Sequence, residues 1–122
     1  MEKEAIVHVL NDLMKVDDIL SCMIIDRDMN YIMPTIEKND VGANKVMNDL
    51  KQTSNNIFKM IDFYSKVKLK QMKWTLRDCE VWFYVFPDFQ STLVAIVPQY
   101  SNEELLKDEL EKTRQKVLKI KR

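Results

Sequence analysis

Glycine, histidine and cysteine are scarce in this sequence. Its 122 residues include one glycine, one histidine and two cysteines. Phosphate-binding loops of the P-loop and dinucleotide-binding types require several glycines, because their backbone turns tightly and approaches the phosphates closely. Gly42 alone cannot build either loop, so these two nucleotide-binding motifs are excluded.

The few histidine and cysteine residues are poorly placed for catalysis or metal binding. Helical spacing puts His8 on the polar side of the first predicted helix, while Cys22 and Cys79 lie far apart, each in an apolar stretch. Neither CxxC nor HExxH spacing occurs, and a buried free thiol behaves as a small apolar group. We therefore predict no catalytic residue, no metal site and no cofactor, and expect a protein that is not an enzyme.

The sequence also lacks an excess of either charge and lacks long apolar runs. Lysine plus arginine equals aspartate plus glutamate at 19 each, so no nucleic-acid partner is predicted. No apolar run approaches the roughly 20 residues of a membrane-spanning helix, and the mixed start Glu2-Lys3-Glu4 is unlike a signal peptide. We expect a cytoplasmic protein without membrane insertion, folded as a single domain over residues 1–122.

Three segments have helical periodicity. Apolar residues recur at helical spacing over 2–16 and again over 40–66, where Asn39 or Asp40 can cap a long second helix. Ser101 and Glu104 have the spacing of a capping box and predict the start of a last helix.

Five segments have strand character, and their patterns separate central from edge strands. The first and fifth are apolar on both faces, as expected in the middle of a sheet. Pro34 has no N–H donor and places the second strand at an edge. The third strand alternates, with Met72 and Trp74 on one side, and is predicted near an edge. In chain order the segments are 19–25, 31–36, 69–77, 81–86 and 92–97.

Three local features accompany this order of elements. They are the stretch Ile19-Leu20-Ser21-Cys22-Met23-Ile24-Ile25-Asp26-Arg27-Asp28, the long second helix from Asp40, and the strand 92–97 followed by the last helix. With them, the order helix-strand-strand-helix-strand-strand-strand-helix resembles the roadblock family, small domains related to dynein light chains of the roadblock type. The resemblance covers the whole chain. It implies an α/β (α+β) fold of roadblock/profilin-like type, a five-stranded antiparallel sheet with the long second helix on one face and the first and last helices on the other.

The resemblance also implies function by protein binding. Roadblock domains pair through their third strands and second helices, here as a homodimer or with a roadblock paralogue. The helix platform or its rim receives a Ras-like small GTPase, whose hydrolysis some bacterial and archaeal members regulate. Carried onto this sequence, the dimer interface comprises Leu69, Gln71, Met72, Lys73, Trp74, Thr75, Thr53 and Ser54. The GTPase-facing platform comprises Lys45, Asn48, Lys51, Gln52, Asn55, Asn56 and Lys59.

The lysines of the third strand allow two interpretations. Lys68, Lys70 and Lys73 can act as gatekeepers that keep an exposed edge from pairing. The strand can also pair with a second copy if the charged side chains turn outward, and the small Thr53 and Ser54 then serve a helix contact. We predict the dimer.

A second function stays open on the sequence. A related profilin-like or PAS-like sensor holds a small ligand between helix and sheet, and here that ligand would lie near Trp74, Trp82 and Phe86. A ligand-sized internal pocket beside these aromatic residues distinguishes a sensor from a tightly packed roadblock domain.

Overall fold

The chain alternates helices and strands in the predicted order, with one helix divided in two. A computed structural model describes residues 2–28 and 30–121. The elements are α1 (Glu2–Met14), β1 (Ser21–Asp26), β2 (Tyr31–Ile32), α2 (Val41–Gln52), α3 (Ser54–Phe63), a 3₁₀ turn (Ser65–Val67), β3 (Gln71–Thr75), β4 (Cys79–Val85), β5 (Ser91–Pro98) and α4 (Glu103–Lys121).

The strands form one antiparallel sheet in the order β2-β1-β5-β4-β3. Ala95 of β5 lies between Cys22 of β1 and Trp82 of β4, and Trp82 also pairs with Lys73 of β3. β1 and β5 are buried over nearly their whole length. The prediction that the first and fifth strands are central, and the second and third are edges, is confirmed.

β2 is much shorter than the predicted strand 31–36. The Asn11 side chain of α1 engages the backbone that follows it, because Asn11 Oδ1 accepts hydrogen bonds from the N–H groups of Thr35 (2.9 Å) and Ile36 (3.1 Å). Those groups are unavailable to a strand ladder, and Pro34 just before them has no N–H to offer. The β2 edge therefore ends after one short pairing with β1.

Apolar side chains fill both faces of the sheet. On one face, α1 and α4 cover Trp82, Tyr84 and Phe86, and on the other, α2 and α3 cover Phe83 and Val94. Because side chains alternate along a strand, neighbouring residues of β4 belong to different core layers. The predicted arrangement, with the second helix opposite the first and last, is confirmed.

The two cysteines are free thiols in the two apolar cores, Cys22 on the α1–α4 face and Cys79 on the α2–α3 face. Burial raises the pKa of Cys22 to about 12, so this thiol stays protonated at neutral pH. Both cysteines therefore act as apolar packing residues, as predicted.

The long second helix predicted over 40–66 is interrupted at Thr53. Thr53 has φ −108° and ψ 15° and caps both α2 and α3. Its hydroxyl donates to the Asp49 carbonyl (3.0 Å), and the Ser54 hydroxyl donates to the Lys51 carbonyl (3.2 Å). Hydrogen bonds of this kind, back to carbonyls of the preceding turn, bend helices. The prediction of one continuous helix is therefore wrong.

The last helix is capped by Asn102 rather than by Ser101. Asn102 Oδ1 accepts a hydrogen bond from the Leu105 N–H (3.2 Å), whereas the Ser101 hydroxyl donates to the Pro98 carbonyl (2.7 Å). The predicted capping box of Ser101 and Glu104 is wrong by one residue, because Ser101 closes the turn after β5 instead.

Candidate protein interaction site

β3 leaves one long edge of the sheet open in the part of the chain that the structure describes. The Val85 N–H donates to the Lys70 carbonyl (2.8 Å), and the Leu76 N–H donates to the Cys79 carbonyl (2.9 Å). Lys70 and Leu76 flank β3, and both are hydrogen-bonded to β4. Because hydrogen-bonded and non-bonded pairs alternate in an antiparallel ladder, every second residue between them also directs its backbone N–H and C=O toward β4. The backbone groups that point outward belong to Gln71, Lys73 and Thr75.

The Lys73 side chain is turned away from this open edge. Its Nζ donates to Glu103 Oε1 on α4 (2.7 Å) and lies 5.2 Å from the centre of the Trp82 ring. The hydrogen bond raises the pKa of Lys73 and lowers the pKa of Glu103, so both groups are charged at neutral pH. The ammonium therefore covers the α1–α4 face and leaves the outer backbone of β3 accessible.

Exposed apolar side chains lie just before β3. Met60 and Phe63 are in the last turn of α3, Tyr64 caps that helix, and Val67 ends the 3₁₀ turn. We call these four residues the α3 apolar cluster. Phe63 is 78% exposed and Val67 is 76% exposed, and the rings of Phe63 and Tyr64 meet edge-on at 5.0 Å. Exposed apolar side chains grouped on a protein surface are typical of protein interaction sites.

A groove of about 550 Å³ lies between α2 and the turn from β3 to β4. Gly42 and Val46 line it from α2, Leu76 and Cys79 line it from the turn, and Pro98 lines it from the end of β5. We call it the α2 groove. The charged residues that also line it are Asp40, Asp49, Asp78, Lys45 and Arg77.

The predicted platform residues lie along the outer side of α2 and α3. Lys51 is half-buried. Its carbonyl accepts the Tyr31 hydroxyl (2.6 Å), and its ammonium lies 5.8 Å from the centre of the Tyr31 ring. Lys51 thereby ties α2 to β2. The six exposed members are Lys45, Asn48, Gln52, Asn55, Asn56 and Lys59.

The structure brings most of the predicted dimer residues to the open edge, with one correction. Ser54 is fully buried, and its hydroxyl donates within its own chain. It cannot contact a second chain, so its prediction as an interface residue is wrong. The half-buried members, on the α2–α3 face, are Leu69, Met72 and Trp74. The exposed members are Gln71, Lys73, Thr75 and Thr53.

Arg27, in the turn after β1, holds together the elements that carry this surface. Its Nε and Nη2 donate to the Phe89 carbonyl (3.1 and 2.9 Å). Its guanidinium also forms a bidentate ion pair with Asp62 of α3. Phe89 has φ 58°, a left-handed conformation that costs a non-glycine residue about 1–2 kcal/mol. Arg27 thus connects a strained turn between β4 and β5 to the end of α3.

The Arg27–Asp62 ion pair makes stability depend on pH. The hydrogen bond from Arg27 lowers the pKa of Asp62 from its ordinary value of 3.8. A lowered folded-state pKa stabilises the fold fully above the unfolded-state pKa, and this contribution is lost as pH falls through the folded-state value. We expect Asp62→Asn to lower the melting temperature at neutral pH, and the difference from wild type to shrink as pH falls below 3.8.

Thermal unfolding followed by circular dichroism across this pH range measures the effect. Asp108→Asn, which removes an exposed carboxylate of α4, is the matched control and should show no comparable convergence at low pH. A difference between Asp62→Asn and wild type that stays constant with pH contradicts the role of the ion pair.

The aromatic residues proposed for a sensor pocket do not surround one cavity. Trp82 and Phe86 are buried in the α1–α4 core, whereas Trp74 packs on the opposite face of the sheet, with its ring 4.5 Å from the Phe83 ring. The sheet itself separates them. The predicted ligand position near these three residues is therefore wrong.

Two features are absent from residues 2–28 and 30–121. No group of three or more histidine, cysteine, aspartate or glutamate side chains is arranged to hold a metal ion there. None of the helices in the same ranges has the length and apolar character needed to cross a membrane.

Solved structures share this architecture. Myxococcus xanthus MglB aligns with a TM-score of 0.74 at 14% identity, over 97% of this chain and 88% of MglB. A Roadblock/LC7 domain from Streptomyces avermitilis aligns at 0.65 and 9% identity, over 90% of this chain and 92% of that domain. An MglB in a tetrameric arrangement aligns at 0.63 and 12% identity, over 98% of this chain and 89% of that one. No protein-family model and no curated protein matches the sequence.

The sheet order, the placement of helices on its two faces and these similarities define the class of the molecule. The chain has the roadblock fold, as the resemblance implied.

Proposed function

We propose that this chain is a non-catalytic, dimeric scaffold of the cytoplasm that binds and regulates a Ras-like small GTPase. The observation that carries the proposal is the open edge of β3 on a roadblock fold, with outward backbone groups at its centre and the Lys73 side chain folded away onto Glu103. Such an edge accepts a strand from another chain. The best fit is a second copy or a roadblock paralogue, because an isologous pair uses the same edge twice.

The platform supports a GTPase as the further partner. Lys45, Lys59 and four amide side chains form an exposed polar surface on α2 and α3. Pairing through β3 about a two-fold axis sets the platforms of two chains side by side, so the dimer offers twice this surface to one ligand. Two lysines from each chain suit a partner with acidic groups at its contact surface, because complementary charge speeds association and selects partners.

A binding experiment tests both halves of the proposal. Sedimentation velocity of the pure protein at micromolar concentration should give a dimer. Addition of purified Ras-like GTPases, loaded with GDP or with a non-hydrolysable GTP analogue, should give a complex in one nucleotide state. Lys59→Glu should weaken this complex about tenfold.

Lys112→Glu, on the exposed side of α4, is the matched control and should bind as wild type does. Failure to bind in both nucleotide states overturns the GTPase role, and equal weakening by the two substitutions overturns the platform. A monomer in sedimentation overturns the dimer.

A further inference from the structure

A recess of about 420 Å³ lies at one corner of the sheet, where β3 begins and β4 ends. Its walls come from the segment that leads into β3, from the turn between β4 and β5, and from the middle of α4. Cavities of this size are typical of sites for small molecules. We call it the basic recess. Its cationic lining residues are Lys68, Lys70 and Arg114, and its apolar ones are Leu69, Val85, Pro87 and Phe89.

Positive charge exceeds negative charge at the basic recess. Among the described residues that line it, three are basic and none is acidic. Two carboxylates lie beside the lining and have other partners. Glu111 Oε1 accepts from Arg114 Nη2 (2.6 Å) and from Gln115 Nε2 (3.0 Å), and Asp88 Oδ1 accepts the Gln90 N–H (3.0 Å). Three cations against two carboxylates leave a positive excess in a concave site, which favours an anionic ligand.

Arg114 has a hydrogen-bond donor that no described residue uses. Its Nη1 donates to the Val85 carbonyl (2.9 Å) and its Nη2 donates to Glu111, so the guanidinium is held in one orientation. Its Nε is buried, and no atom within residues 2–28 and 30–121 accepts a hydrogen bond from it. A buried donor without an acceptor costs about 1–3 kcal/mol. A ligand that supplies the acceptor accounts for such a group in a folded protein.

Two residues of the basic recess have a left-handed backbone. Lys68, which ends the 3₁₀ turn, has φ 57°, and Phe89 has φ 58°. Of the four described residues other than glycine that have a positive φ, these two meet in one recess. Strained backbone positions of this kind cluster at ligand-binding sites, where they fix the shape of the wall before the ligand arrives.

We propose that the basic recess binds a small anionic ligand with an apolar body, a carboxylate or a phosphate monoester that carries an alkyl or aryl group. The two lysines of the recess hold the anionic group. Arg114 receives it on the guanidinium edge formed by Nε and Nη2, which Glu111 occupies only at Nη2. Anions with two oxygens bind such an edge through two parallel hydrogen bonds.

The apolar wall of the basic recess accounts for the second half of the ligand. Leu69 and Phe89 are half-buried, and Pro87 is exposed beside them. The body of the ligand covers these side chains and removes apolar surface from water. All of these groups belong to one chain, so the site does not depend on the proposed dimer. Small-ligand sensing, left open by the sequence, then uses this corner of the sheet and not the three aromatic residues predicted for it.

Titration of the full chain with octanoate, octyl phosphate and octanol tests the proposal. The three compounds share one alkyl chain, and octanol lacks the charge. In ¹H–¹⁵N correlation spectra, both anions should shift the amide signals of residues 68–70 and of Phe89. Both should bind about tenfold more tightly than octanol, because charge-assisted hydrogen bonds form only with the anions. The anion that binds more tightly identifies the head group that the recess prefers.

Lys68→Gln with Lys70→Gln removes two charges from exposed positions of the recess. It should weaken octanoate binding about tenfold and leave octanol binding unchanged. Lys116→Gln with Lys119→Gln removes two exposed lysines of α4 outside the recess. It is the matched control and should bind octanoate as wild type does. Circular dichroism verifies that both variants are folded.

Arg114→Lys retains the positive charge but has no guanidinium edge, so it should also bind octanoate more weakly than wild type does. Three results overturn the site: no shift at the named amides, octanol binding as tight as that of octanoate, or equal octanoate affinity in the two double variants. None of them bears on the proposed dimer or on GTPase binding.

Discussion

Replacing Lys73 with proline is expected to weaken dimerisation by about 100-fold or more and to leave a folded monomer. Lys73 is the central residue of β3, and its N–H points outward. Proline is accepted on an edge strand where the missing N–H faced outward, so the pairing with β4 survives. In the dimer, one donor is lost from each copy and its acceptor is left unsatisfied, at about 1–3 kcal/mol each.

Lys73→Ala is the matched control for this substitution. It removes the same ion pair with Glu103 and the same contact with Trp82 but retains the backbone N–H, so it should dimerise within a few-fold of wild type. Sedimentation velocity separates the two variants, and circular dichroism verifies their folding. If the proline and alanine variants sediment alike, β3 is not the pairing strand.

Replacing Phe83 with alanine is expected to lower the free energy of unfolding by about 3–5 kcal/mol. Phe83 is fully buried in the core beneath α2 and α3, and its ring lies 4.5 Å from the Trp74 ring of β3. The substitution opens a cavity there and also removes the contact that holds Trp74 against the sheet. The amide hydrogens of β3 should therefore exchange faster in the variant than in wild type, and this increase should exceed the increase in β5.

Chemical denaturation at one fixed protein concentration measures the first effect, because dimerisation would make stability depend on concentration. Hydrogen exchange over Gln71–Thr75 measures the second. Phe83→Leu, which retains much of the volume, should cost only about 1 kcal/mol. A loss below about 1 kcal/mol for alanine would show that this core layer is not packed around Phe83.

Edges and centre of the sheet were predictable because single residues and short patterns determine them. Pro34 removes a donor wherever it stands, and alternation around Trp74 describes a half-exposed strand without reference to any other element. The lengths of β2 and of the second helix were predicted wrongly for a different reason. β2 is cut short by Asn11, which lies 24 positions before Thr35 and meets it only in the folded chain. The helix break at Thr53 depends on a hydroxyl that donates back to a carbonyl of the preceding helical turn, which the sequence alone does not reveal.

Part of the candidate site could likewise be predicted from the sequence, and part could not. The edge position of β3 and the polar side of the second helix follow from periodicity, whereas the role of that side as a platform came only from the family resemblance. Phe63 carried a local signal because it falls outside the buried stripe of its helix. The α2 groove has no such signal. Gly42, Leu76 and Pro98 are far apart in sequence and meet only when β4 and β5 are in place beneath α2.

In the proposed dimer, Asn11 limits how many chains can join one sheet. By engaging the N–H groups of Thr35 and Ile36, it leaves the β2 edge with too few free donors to recruit a neighbour. Each chain then has one sheet edge available for pairing. Pairing through β3, as proposed, therefore stops at two chains and does not continue into a fibre. In that dimer, the Asn11 side chain of the first helix, together with Pro34, keeps the second edge of the sheet from recruiting a further chain.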